Sequence, residues 1–174
     1  MKLNLGVECS LLKLYQHFFP GAVNGTDCPP GTIRNALGGA DLTDCYPCPA
    51  GQYCRLPGQW APAGDCEPGY YCPDFAEITD PMPFNYPCPV GHYCGYRTGY
   101  PDGCPPGTYQ PVLANDTCNP CPAGYYCLFN TSAPLICPAY HYCPEGTEEP
   151  TPCDNGTYTD PAVTGLQRND QCTQ

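Results

Sequence analysis

Cys121-Pro122-Ala123-Gly124-Tyr125-Tyr126-Cys127 decides how the rest of the chain is read, because its pattern returns four more times. The other copies are Cys48-Pro49-Ala50-Gly51-Gln52-Tyr53-Cys54, Cys66-Glu67-Pro68-Gly69-Tyr70-Tyr71-Cys72, Cys88-Pro89-Val90-Gly91-His92-Tyr93-Cys94 and Cys137-Pro138-Ala139-Tyr140-His141-Tyr142-Cys143. All five share one Cys-to-Cys spacing and place Tyr directly before the second Cys. A spacing repeated in this way marks a tandem array of small supersecondary units. Each heptapeptide is a turn. Pro fixes φ at the entrance, Gly takes a backbone angle that other residues avoid, and the reversal brings two sulfurs within disulfide reach. The Tyr before the second Cys is then free to lie over the next segment. Tyr140 stands where the other copies have Gly, which predicts a distorted turn there.

A longer unit is interspersed with the short one. It opens with Cys28-Pro29-Pro30-Gly31-Thr32, Cys104-Pro105-Pro106-Gly107-Thr108 and Cys153-Asp154-Asn155-Gly156-Thr157, and closes at Cys45, Cys118 and Cys172. Direct pairing gives Cys28–Cys45, Cys48–Cys54, Cys66–Cys72, Cys88–Cys94, Cys104–Cys118, Cys121–Cys127, Cys137–Cys143 and Cys153–Cys172. The even count within each short unit favours it. An interlocked scheme, in which neighbouring units exchange partners, stays open, because connectivity does not follow from sequence. Cys9 is the odd one of 17 cysteines and is expected to be unpaired, to pair upstream of this segment or with another molecule, or to force the interlocked scheme.

Composition agrees with an array. The 174 residues include 25 Pro, 19 Gly and 17 Cys against two Met and one Trp, so one large apolar core is out of reach. The fold class expected is small and disulfide-rich: tandem cysteine-rich repeats in an extended rod, with short β-hairpins and turns and little regular secondary structure. The repeats fall into a first block at 28–103, a second at 104–152 and the start of a third at 153–174, after a non-repeating segment at 1–27. Dense cysteine also implies an oxidising compartment, hence an extracellular or cell-surface protein of the secretory pathway. Four glycosylation sequons begin at Asn24, Asn115, Asn130 and Asn155 and fit a glycosylated surface.

The net charge of −11 leaves no basic patch for phosphates, which argues against nucleic acid and anionic membranes as partners. No stretch approaches the roughly 18 apolar residues of a membrane span. The N-terminus makes a poor signal peptide, with Asn4 and Glu8 interrupting its apolar run, so this chain is expected to be a segment of a longer precursor. Cys172-Thr173-Gln174 stops one residue short of the Cys that follows the other long units, and a Cys-Pro-like continuation is expected.

Residues 1–27 contain the one strongly apolar stretch without Pro or Gly. Ser10 could cap a short helix over 11–19 ending at Pro20, with Leu11, Leu14, Tyr15 and Phe18 on one face and Leu12 and Phe19 widening it. A short strand is the competing reading. This face either packs on the first repeat or forms an assembly contact with a neighbouring molecule or with the preceding part of a longer chain.

Residues able to carry chemistry are few. The Cys-x-x-Cys pairs at 45–48 and 118–121 could be zinc half-sites or redox dithiols, but their cysteines belong to the repeat and no βαβ context surrounds them. His92 and His141 occupy the slot held elsewhere by Gln52, Tyr70 and Tyr125, a surface position; His17 lies outside the array. Glu145, Glu148 and Glu149, and Asp41 and Asp44, lack the spacing of a calcium loop. No nucleophile elbow, zincin motif or phosphate loop appears. The expectation is no catalytic site, no metal and no cofactor.

The Cys-Pro-x-Gly-x-Tyr-Cys and Cys-Pro-Pro-Gly-Thr units resemble ephrin-receptor-like cysteine-rich repeats, and more distantly growth-factor-like and tumour-necrosis-factor-receptor-like modules. The resemblance covers about residues 28–174, with departures at Glu67, Tyr140 and Asp154-Asn155. It implies a non-enzymatic surface glycoprotein of the kind found in protist and algal coats and flagellar hairs (mastigonemes). The function expected is therefore a structural component of an extracellular filament, hair or coat that self-associates through its repeats and its N-terminal segment. A stalk or ligand-binding ectodomain of a surface receptor or adhesin is the alternative.

Overall fold

A chain stapled every few residues and rich in Pro has no room for long strands or helices, and the architecture is made of very short pieces. The computed structural model describes residues 16–17, 26–34, 42–74, 83, 85–154, 157 and 160–172. Within them lie seven two-stranded antiparallel ribbons, each strand two residues long. In chain order the strands are β1 Gln16–His17, β2 Thr26–Asp27, β3 Thr32–Ile33, β4 Tyr46–Pro47, β5 Gln52–Tyr53, β6 Gly64–Asp65 and β7 His92–Tyr93. They continue with β8 Asp102–Gly103, β9 Thr108–Tyr109, β10 Asn119–Pro120, β11 Tyr125–Tyr126, β12 Leu135–Ile136, β13 His141–Tyr142 and β14 Thr151–Pro152. Single 3-10 turns at Leu42–Asp44 and Asn169–Gln171 complete the regular structure among the described residues. The fold is thus small and disulfide-rich, built of short hairpins.

Six of the seven ribbons follow from the repeat, β1 with β2 being the exception. The residues just after the turn Gly (Tyr140 in one repeat) form one strand, and the two residues before the next repeat's first Cys form its partner, as Tyr125 and Tyr126 do against Ile136 and Leu135. Numbering the repeats 1 to 8 by their opening residues Cys28, Cys48, Cys66, Cys88, Cys104, Cys121, Cys137 and Cys153, one ribbon joins each repeat to the next wherever strands are described. The chain divides into two compact units. The first comprises 1–86 with 96–100, and the second 87–95 with 101–174.

The eight disulfides are those of the direct scheme, and the interlocked alternative is absent. Their Cα atoms stand 5.7 to 6.3 Å apart, inside the range that a disulfide spans without moving the backbone. These sulfurs are also the core. Apart from cysteines and glycines, only Ile33, Pro83 and Leu166 are buried apolar residues among those described. Tyr rings thicken this sulfur core locally. Tyr53 and Tyr86 pack on the Cys66–Cys72 bridge, Tyr53 lies over Gly64 of the following strand, and Tyr71 meets Tyr86 edge-on at 5.4 Å.

One open alternative is decided and one expectation needs correcting. At the two described positions of the apolar N-terminal stretch the backbone is strand, the competing reading, and not helix: Gln16 pairs with Asp27 and His17 with Thr26. The ladder to 26–27 satisfies there the backbone groups that a short isolated helix would leave open. Leu11, Leu12, Leu14, Tyr15, Phe18, Phe19 and Cys9 lie outside the described residues. Nor is the turn at Tyr140 distorted. Its φ of 65° matches that of the glycines, and its carbonyl accepts from the Cys153 N–H as the Gly124 carbonyl accepts from Cys137.

Candidate functional site

The recurring chemistry of the molecule is the junction between repeats, where the same bonds form each time. The turn Gly donates its N–H to the carbonyl at the second-Cys position of the next repeat: Gly51 to Cys72 at 2.7 Å, Gly107 to Cys127 and Gly124 to Cys143 at 2.8 Å. That next repeat returns a bond from its first Cys to the Gly carbonyl, as Cys121 does to Gly107. A third contact comes from one left-handed residue in the following loop, whose N–H reaches the carbonyl of the earlier repeat's first Cys. Gly58 bonds Cys28 in this way, Arg97 bonds Cys66, Ala114 bonds Cys88, Asn130 bonds Cys104, Gly146 bonds Cys121 and Gly165 bonds Cys137. The residue after it accepts from the second-Cys position, as Thr147 does from Cys127 and Leu166 from Cys143.

The left-handed residue also reaches back one repeat further. The carbonyl of Gly146 lies against Gly107, and that of Gly165 against Gly124, so a Cβ on Gly124 would stand 2.7 Å from the Gly165 oxygen. Repeats therefore touch their second neighbours as well as their first. Three of the left-handed slots hold side chains: Arg97 at φ 61°, Ala114 at 57° and Asn130 at 60°. Of these only Asn is among the residues that visit this region readily.

Aligning the repeats on the turn Gly exposes a feature missed in the sequence. Arg34 and Gln110 stand at the position that is the second Cys in a short repeat, and they are the two buried polar residues among those described. Gln110 is satisfied: Nε2 donates to the Thr117 carbonyl at 2.6 Å, and Oε1 accepts from the Val112 N–H. It ties down the loop whose end carries Cys118, the cysteine displaced from its own position. Arg34 directs Nη2 at Cys45 Sγ, 3.7 Å away, while Nε and Nη1 have no hydrogen-bond partner among the described residues. The signal was present in Gly31-x-x-Arg34 and Gly107-x-x-Gln110 against Gly51-x-x-Cys54.

The remaining sequence candidates are dispersed. His92 Nδ1 lies 3.1 Å from the Val90 carbonyl and His141 Nδ1 2.9 Å from that of Ala139, the same local bond in two repeats. No group of three or more His, Cys, Asp or Glu able to hold a metal occurs among the described residues. Asn115 is half-buried and Asn130 exposed, while Asn24 and Asn155 lie outside the described residues. An open depression of about 240 Å³ lined by Tyr93, Thr108, Asp116 and Cys118 is smaller than the roughly 300–1,000 Å³ typical of ligand clefts.

One polar cluster stands out in the first unit. Asp65 accepts from Gln52 Nε2 at 2.9 Å and from the Tyr96 hydroxyl at 2.8 Å, with Arg97 Nε at 3.5 Å. The Gln52 and Tyr96 hydrogen bonds, with a smaller contribution from the Arg97 charge, hold the Asp65 carboxyl below its ordinary range. The same hydrogen bond pushes the Tyr96 phenol up, and the bond to Asp74 pushes up Tyr100. Together these contacts fasten 96–100 onto the first unit.

The architecture is that of a disulfide-rich repeat protein of extracellular type, compatible with a surface or structural role. Comparison with family models and with curated proteins gave no match. No helix among the described residues is long and apolar enough to cross a membrane.

Proposed function

We propose that this protein is a non-enzymatic structural component of an extracellular glycoprotein filament, hair or coat. One observation carries the reading: the same set of backbone bonds recurs from repeat to repeat, and second neighbours touch. Repeats that engage only near neighbours give quasi-one-dimensional structures suited to spacing and mechanical continuity. Support also comes from the sulfur core, which tolerates an oxidising medium, from the exposed or half-buried positions of the two described sequon asparagines, Asn115 and Asn130, and from the resemblance to ephrin-receptor-like repeats of protist and algal surface proteins. In this reading copies join head to tail, a heterologous contact that does not close, with the apolar residues 11–19 and Cys9 at the contact and glycans on the outside. Electron microscopy of native material tests it. Fibres built on this repeat, with Cys9 in an intermolecular bridge on non-reducing peptide mapping, are expected. Monodisperse monomers with Cys9 free or internally paired overturn the filament and leave the receptor stalk as the better account.

A further inference from the structure

Among the prominently exposed tyrosines of the described residues are two whose hydroxyls meet a carboxylate. Tyr96 and Tyr100 are 65% and 58% exposed, and each hydroxyl donates to a carboxylate, Asp65 Oδ2 and Asp74 Oδ1 respectively. Their segment is held by the backbone bonds from Arg97 to Cys66 and from Cys72 to Thr98, both 3.0 Å, so ring and base keep their relative positions. Tyr46 and Tyr125 are 48% and 39% exposed with no carboxylate on their hydroxyls among the described residues.

A phenol that loses an electron becomes a strong acid. A base already within hydrogen-bond reach takes the proton in the same event and lowers the barrier. We propose that Tyr96 and Tyr100 are sites of oxidative tyrosine coupling between copies of this chain, driven by hydrogen peroxide acting through a haem peroxidase. Each phenol gives one electron to the oxidant and its proton to Asp65 or Asp74. Two phenoxyl radicals from different copies form a carbon–carbon bond between ring positions ortho to oxygen. The two ring hydrogens then shift to the oxygens and restore the phenols. The carboxylates release their protons, and one peroxide takes up two protons and two electrons to become two waters. The link is a dityrosine, which reduction of the disulfides does not break. It requires only collision between exposed segments, so it stands independently of the filament reading.

The test uses the disulfide-intact chain with a haem peroxidase and peroxide. Dityrosine fluorescence, reduced gels and peptide mapping are the readouts. Cross-links are expected at Tyr96 and Tyr100. Tyr96→Phe with Tyr100→Phe should slow coupling at least about tenfold, while Tyr46→Phe with Tyr125→Phe leaves it nearly unchanged. Asp65→Asn with Asp74→Asn keeps an acceptor oxygen but removes the base, and should slow coupling several-fold while the Arg97 and Cys72 amides, which bond to backbone carbonyls, stay protected from exchange at neutral pH. Cross-links mapping mainly to other tyrosines, or the Asn variant coupling as fast as the parent, overturn the proposal. If fibres form but do not couple, this inference fails and the filament reading stands.

Discussion

Gly107 and Ala114 meet the left-handed backbone region from opposite sides. Gly107, at φ 79°, faces the Gly146 carbonyl so closely that a Cβ has no room. Gly107→Ala therefore adds backbone strain to a clash and should destabilise by about 2 kcal/mol or more, measured by thermal unfolding with disulfides intact. Ala114 holds φ 57° where equivalent loops have Gly146 and Gly165. Ala114→Gly relieves that strain and should stabilise by up to about 1 kcal/mol, net of the added freedom of the unfolded chain. Gln110→Ala leaves the Thr117 carbonyl and Val112 N–H without the buried amide that serves both. A loss of about 2 kcal/mol and faster amide exchange over 111–117 are expected. The turn glycines were legible in the sequence because φ chemistry is local. The left-handed slots at Arg97 and Ala114 were not, because their conformation is imposed by bonds to a different repeat.

At the scale of the repeat, one staple does most of the holding. Removing Cys121 and Cys127 together, as alanines, frees a closed loop of about seven residues and should cost about 2 kcal/mol by chain entropy. It also removes two of the few buried groups in that repeat, so loss of exchange protection should extend to Gly107, which donates to Cys127 from the preceding repeat, and to Gly124, which donates to Cys143 of the next. The segment 96–100 responds instead to pH. Asp65 titrates below its ordinary value when folded, so its contribution is present above the unfolded pKa and is lost as pH falls through the lower folded one. Tyr96 and Tyr100 titrate above theirs, so their contribution is present below the unfolded pKa and is lost as pH rises through the higher folded one. Limited proteolysis near 96–100 should accelerate below about pH 4 and above about pH 10, and Asp65→Asn should weaken the acid limb. Cysteine spacing made the hairpins and their staples readable. The Asp65 cluster escaped because Gln52, Asp65 and Tyr96 come together only after repeats 2, 3 and 4 have folded.

For the whole molecule, the core and the covalent frame are the same atoms. With Ile33, Pro83 and Leu166 the only other buried apolar side chains described, reduction leaves little area to oppose chain entropy. Adding a thiol reductant without denaturant should abolish near-ultraviolet ellipticity and leave the chain open to proteolysis, rather than yield a reduced native form. The loops between staples show a different kind of freedom. Asn130 comes three positions after Cys127, whereas Gly58 comes four after Cys54, yet each delivers the same N–H to a first-Cys carbonyl. From Gly to second Cys, by contrast, the count is the same in every short repeat that has the Gly. Insertions before the left-handed residue are thus silent to the frame, and a single insertion inside the turn is not. An array with that grammar can lengthen by copying whole repeats and diversify its surface loops, so its length and its decoration can change by separate genetic events.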